Sequence, residues 1–125
     1  MPTHDDANKL HDQAIEAARR GDYPQATTLL KHALTLYQDI PDTEEQQADC
    51  LFNLANTLRE LGQPADAESY YRQALTLYQD IPNTQRDQAT CLFNLANALH
   101  NLGRGVETEP LYRQAIQLCE GIDGT

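Results

Sequence analysis

Apolar residues recur along this chain at the three- and four-residue spacing of helices, in six runs separated by turn signals. In the first, over 5–20, Leu10, Ala14, Ala17 and Ala18 share one stripe and charged groups fill the rest. Gly21-Asp22-Tyr23-Pro24 stops it: glycine suits the left-handed residue beyond a helix end, and Pro24 fits the first turn of a new helix, where its missing N–H costs nothing. The second run, 24–39, places Ala26, Leu29, Leu30, Ala33, Leu34 and Tyr37 on its buried side. Ile40-Pro41-Asp42-Thr43 ends that helix, since the residue before a proline is pushed out of the helical region, and Thr43 followed by Gln46 reads as a capping box restarting it. The third run, 44–61, aligns Leu51, Leu54, Ala55, Leu58 and Leu61, and Gly62-Gln63-Pro64 breaks it. Helices over 65–80, 85–102 and 106–120 complete the series, with turns at Ile81-Pro82-Asn83-Thr84 and Gly103-Arg104-Gly105. No stretch alternates with the period of a strand.

The runs are copies. Cys50-Leu51-Phe52-Asn53-Leu54-Ala55-Asn56 returns unchanged 41 residues later from Cys91 to Asn97, and the run from Ala33 to Pro41 returns at the same offset from Ala74 to Pro82. A fixed period with short loops predicts an all-α chain: six helices in three antiparallel hairpins that stack as an α-solenoid and bury one another's stripes. The repeats cover about 5–41, 44–82 and 85–122 of a single domain spanning 1–125.

Composition narrows the function. Nineteen acidic against nine basic side chains give a charge of -10, which repels a phosphate backbone, and Arg19-Arg20 is the only adjacent basic pair; nucleic acid is excluded as a partner. The acidity serves solubility or draws in a basic partner. No apolar run approaches the ~18 residues of a membrane span, and the polar, acidic start lacks the features of a signal peptide, so the chain reads as cytoplasmic. Cys50 and Cys91 occupy equivalent places in successive repeats, ~10 Å apart if like helices pack side by side, too far for a disulfide. They read as buried thiols.

Catalytic chemistry finds no footing. Ser69 is the only serine and sits in a helix, without a nucleophile elbow; the glycines are isolated turn residues, not a phosphate cradle. His4, His11, His32 and His100 are scattered, and the cysteines lack zinc spacing. His4, Asp5, Asp6 and His11 form a solvated helix start, and Glu44 and Glu45 are helix-start charges favoured by the macrodipole. The expectation is no enzyme, no cofactor and no metal.

Gly21, Gly62 and Gly103 in the turns, Ala26 and Ala67 early in the second helices, Ala33, Ala74 and Ala115 later in them, and Ala14, Ala55 and Ala96 in the first helices together resemble the tetratricopeptide (TPR) repeat. Leu10, Leu51 and Leu92 stand at its large apolar site, and Tyr71 and Tyr112 at its aromatic site, where the first copy has Leu30. Thr108 replaces Ala67 in the third copy, a departure expected to loosen that hairpin. The 41-residue period, with Glu109-Pro110-Leu111-Tyr112-Arg113-Gln114-Ala115, is similar to repeats of the kinesin-light-chain type. The resemblance implies a protein-interaction module whose first helices line a concave groove that takes a peptide or helix of a partner protein.

A second stripe fits that role. Phe52, Asn53, Asn56, Arg59 and Glu60 turn away from the leucines of the third helix, and Phe93, Asn94, Asn97, His100 and Asn101 repeat the arrangement on the fifth; the first helix supplies His11, Asp12, Ile15 and Arg19. Asparagine is a poor mid-helix residue, yet its amide both donates and accepts, so a ladder of four could hold an extended peptide. The alternative is that the amides bond one another between hairpins. Relative to TPR proteins that clamp a chaperone's carboxylate, Phe52, Thr90 and Asn94 stand where cations are expected, so that ligand is rejected. The expected binding surface centres on the second and third hairpins, with the first as a cap. At the other end Leu111, Ala115, Leu118 and Ile122, widened by Tyr112, Ile116 and Cys119, form an apolar face with no capping helix after it; self-association there, giving a homodimer, is the alternative function, and regulation of a separate enzyme a further one.

Overall fold

A computed structural model describes residues 3–122 of the chain, with the side chain of Ile122 outside the described set. Its helices are α1 (His4–Arg19), α2 (Tyr23–Gln38), α3 (Glu44–Glu60), α4 (Pro64–Gln79), α5 (Gln85–Asn101) and α6 (Thr108–Ile122), with a 3-10 turn at Gly105–Glu107 before the last and no strand among the described residues. Each odd helix pairs with the even one after it, α2 packs on α3 and α4 on α5: three hairpins in a row. No described helix is long and apolar enough to cross a membrane.

The turns inside the hairpins close as the sequence predicts. Gly21 has φ 79°, and the Asp22 N–H reaches back 2.8 Å to the Ala17 carbonyl, satisfying a helix-end acceptor. Gly62 and Gly103 repeat the motif. The turns between hairpins differ. There Asp42 (φ 61°) and Asn83 (φ 64°) take the left-handed conformation, which short polar side chains tolerate best after glycine.

Thr43 does not form the expected capping box with Gln46, and its side chain does not cap α3. Its hydroxyl is fully buried and points backward, 2.6 Å from the Tyr37 carbonyl and 2.9 Å from that of Ile40; the Gln47 amide adds a bond of 3.0 Å to the threonine oxygen. The end of α2 is enclosed by the next hairpin, so its carbonyls have more need of a donor than the solvated start of α3. Thr84 and Gln88 do the same for Tyr78 and Ile81. A capping box is present elsewhere, at Thr3 and Asp6.

Ala14, Leu30, Leu54, Ala55, Leu58, Ala67, Tyr71, Leu95, Ala98 and Leu99 form one cluster running through the stack. Each fully buried leucine in it contributes roughly 1.5–3 kcal/mol. Tyr37 and Tyr78 are wedged at the junctions between hairpins, their hydroxyls donating to Asn8 and Asp49.

The third hairpin starts differently from the second, with Thr108 in the place of Ala67. Gly105 replaces the proline that begins α4, the first turn is 3-10, and the Thr108 hydroxyl, half-buried, donates to the Gly105 carbonyl at 2.7 Å. Arg104 fastens this turn by pairing with Glu107 at 2.6 Å and with Glu68 on α4 at 2.7 Å.

Candidate functional site

The second stripes of α3 and α5 lie together, and their amides are partly spent within the protein. Asn56 Oδ1 accepts the Tyr71 hydroxyl and, at 3.2 Å, the Asn94 Nδ2. Asn53 Nδ2 lies 3.0 Å from His11 Nε2. With the amide donating, that ring nitrogen carries no proton; burial lowers the His11 pKa below 6.5 and outweighs the opposing pull of Asp49 and Asp12. Phe52 packs on Tyr71 with ring centroids 5.9 Å apart, and Phe93 on Tyr112 at 5.8 Å. The inter-hairpin bonding of amides is therefore present at Asn56 and Asn94.

Other groups on the same stripes keep capacity for a ligand. Asn97 accepts the Tyr112 hydroxyl at 3.3 Å, while its Nδ2 has no partner among the described residues. Phe93, Asn97, His100 and Asn101 are exposed on α5, Phe93 at 37%. Arg59 is half-buried, and its Nη1, out of reach of solvent, has no hydrogen-bond partner among the described residues. Such donors are scarce in folded proteins and cost about 1–3 kcal/mol each when unmet.

A cavity of about 210 Å³ opens beside Asn53 and Asn56, against the first hairpin. Ala14, Ile15, Ala18, Tyr23 and Leu30 form its apolar wall, and Thr57 and Glu60 complete it. Sequence reasoning placed Ile15 on the groove stripe but assigned the first hairpin mainly to capping and passed over the rest of this wall. The signal was present: one repeat later, Leu30 and Ala18 correspond to Tyr71 and Arg59, both larger. A depression of about 560 Å³ on the far side of α6, lined by Val106, Glu109, Pro110, Arg113, Gln114 and Gln117, is larger. All of its lining comes from one helix and the turn before it, so it has no opposing wall to enclose a ligand.

At the C-terminal end, Leu111, Leu118 and Cys119 pack against the buried cluster of Ala89, Leu92 and Ala115, so α6 spends much of its apolar face on α5. Ile116 remains 51% exposed and Val106 91%. Cys50 and Cys91 are free and buried; burial first, and neighbouring carboxylates second, push both thiols up to about 12. No group of three or more His, Cys, Asp or Glu converges among the described residues.

Among solved structures the chain is similar to BtubC (BKLC) of P. vanneervenii, with a TM-score of 0.91 at 17% identity over 99% of this chain and 50% of that one. It is similar also to the nearly identical TPR-like repeats of a kinesin-light-chain-like protein of Podosopora anserina, at 0.80, 16% identity, and 99% and 59% coverage. A TPR-like protein of Chlorobium tepidum matches at 0.76 and 23% identity over 91% of this chain and 78% of its own. The chain thus spans half the length of BtubC and little more of the Podosopora protein. No curated protein matches the sequence. Two models described as tetratricopeptide repeat match residues 5–80 and 52–121. With six helices in three such hairpins behind those matches, the chain belongs to the tetratricopeptide repeat family.

Proposed function

We propose that this chain is a non-catalytic adaptor holding a peptide or helical segment of a partner protein along the face made by α1, α3 and α5. Repeats of this family generally mediate protein–protein interaction, and that much comes with membership. The observation that carries the finer reading is the accessible stripe on α5: the exposed Asn97 has an Nδ2 with no partner among the described residues, beside the exposed ring of Phe93. A partner's backbone carbonyl would suit the free amide N–H, and an apolar side chain the ring.

Asn56 is a poor site for testing this because its oxygen serves the fold twice. Asn97→Ala with Asn101→Ala is cleaner, since both residues are exposed. Affinity capture from the native lysate should lose a partner with the double variant while helicity by circular dichroism is retained. A partner held equally by both proteins would count against the groove.

A second reading, self-association, is favoured by Ile116. It stands where Leu34 and Leu75 lie in the earlier repeats, and those two pack half-buried against neighbouring core clusters. Light scattering at high concentration decides it: a dimer mass that Ile116→Glu returns to the monomer supports the reading, and a monomer mass for the wild type removes it.

A further inference from the structure

The cavity between α1, α2 and α3 exists because the first repeat departs from its copies. Between α3, α4 and α5 the corresponding positions hold Arg59 and Tyr71, and Tyr71 is fully buried against Phe52 with its hydroxyl on Asn56. In the first hairpin the same places hold Ala18, Leu30, His11 and Ile15. Arg59 and Tyr71 are thereby exchanged for the smaller, apolar Ala18 and Leu30, and the polar Asn56 for the apolar Ile15. The space left, about 210 Å³, exceeds the ~150 Å³ at which an apolar cavity accepts a benzene-sized guest. It is open on the groove side, where Asn53 and Asn56 border it.

Charge selects the neighbours of whatever enters. Glu60 lines the rim from α3, and Asp12 lies one turn before Ile15 on α1; both are exposed, and neither has an ion pair among the described residues. The chain as a whole carries -10. Arg19, one turn after Ile15, lies 3.9 Å from Glu16, and Arg59 beside Glu60 has its Nη1 buried, so a cationic flank meets the exposed carboxylates of Glu60 and Asp12 and an acidic one is repelled by them.

We infer that this cavity is a socket for one large apolar side chain, phenylalanine or leucine, of a partner segment that carries lysine or arginine beside it. The inference rests on the groove reading and adds the chemistry of the ligand to it. The apolar residue fills the place that Tyr71 fills from within the protein in the next repeat, and the basic flanks reach Glu60 and Asp12.

The probes are two synthetic peptides, Ac-Gly-Lys-Phe-Lys-Gly-NH2 and Ac-Gly-Glu-Phe-Glu-Gly-NH2, titrated into the labelled full chain and followed by methyl and amide NMR. The basic peptide should shift the signals of Ala14, Ile15 and Ala18 and bind roughly tenfold more tightly than the acidic one, as two screened ion pairs allow. Ile15→Asn with Leu30→Tyr rebuilds the Asn56–Tyr71 pair of the second hairpin; by filling the cavity it should weaken binding at least ~10-fold, the worth of one buried aromatic side chain. Ala18→Met fills the same space by a single change and serves should the double variant lose its fold. Glu60→Gln should narrow the preference for the basic peptide.

Binding unchanged by either filled variant would overturn the socket. Equal binding of the two peptides would overturn the basic-flank requirement. Shifts confined to Asn94, Asn97 and His100 would overturn the socket and leave the groove standing, and no shift on α1, α3 or α5 would overturn both.

Discussion

The hydroxyl of Tyr71 on α4 donates to the amide oxygen of Asn56 on α3, joining the two helices of the second hairpin where the ring is fully buried. Burial, foremost among its surroundings, pushes that phenol up to about 12, so the bond persists through the neutral range. Tyr71→Phe keeps the packing on Phe52 and removes only the donor. It should cost about 1 kcal/mol, or about 4 °C in Tm, checked by thermal denaturation with groove binding unchanged. In Asn56→Ala the Tyr71 hydroxyl and the Asn94 amide both lose an acceptor, and the loss should be greater.

Thr84→Val tests the buried threonine between the second and third hairpins. Valine fills the same space but leaves the carbonyls of Tyr78 and Ile81 without the hydroxyl that now lies 2.6 and 2.9 Å from them. A loss of about 1–2 kcal/mol in urea unfolding is expected, with the slope unchanged. If the residue acted as a cap of α5, Thr84→Ser would preserve stability and Thr84→Asp would too; the backward-pointing geometry predicts that aspartate fails.

How much of this was legible beforehand depended on whether a feature was local. The periodicity of Leu51, Leu54, Ala55 and Leu58 fixes which side of α3 is buried, and Gly21 and Gly62 mark the turns, because each is decided within a few residues. Thr43 satisfies two local patterns, one toward the following helix and one toward the preceding helix, and only the enclosure of the α2 end selects between them. The pairing of Asn56 with Asn94 needs the spacing of α3 and α5, which no local pattern contains. The cavity needs three helices at once, though Leu30 standing in the place of Tyr71 announced a missing volume.

Stability should depend on pH through His11. Its folded pKa lies below 6.5, so the unfolded chain takes up the proton first. The contribution of the neutral imidazole is complete above the unfolded value and is lost as pH falls through it toward the lower folded value. Protonation also removes the acceptor that Asn53 uses. The Tm should therefore fall between about pH 7.5 and pH 5.5, above the range of ordinary carboxylates, and His11→Gln should flatten that slope.

Arg59→Met removes the guanidinium, whose buried Nη1 has no partner among the described residues, while keeping an unbranched side chain. Free protein should be stabilised by up to about 1 kcal/mol, because an unmet buried donor disappears. Partner capture should weaken in the same variant. Stability and binding moving in opposite directions is the expected signature, read by thermal denaturation and by capture side by side.

The identity of the run from Ala33 to Pro41 with that from Ala74 to Pro82 sets a problem of registry during folding. The last half of α2 offers α3 the same surface that α4 offers α5, and α3 and α5 answer with the same heptapeptide. Docking α5 onto α2 would skip a hairpin, and the longer loop it closes is penalised by only about 0.6 kcal/mol per doubling. Discrimination falls to the few contacts that the copies do not share. In the skipped register Asn94 would exchange Asn56 for the place of Asn53 against His11, while Arg104 would meet Thr27 instead of Glu68 and lose its ion pair. The unrepeated polar contacts thus number the hairpins, so that a chain built from near-copies assembles in the order in which it is written.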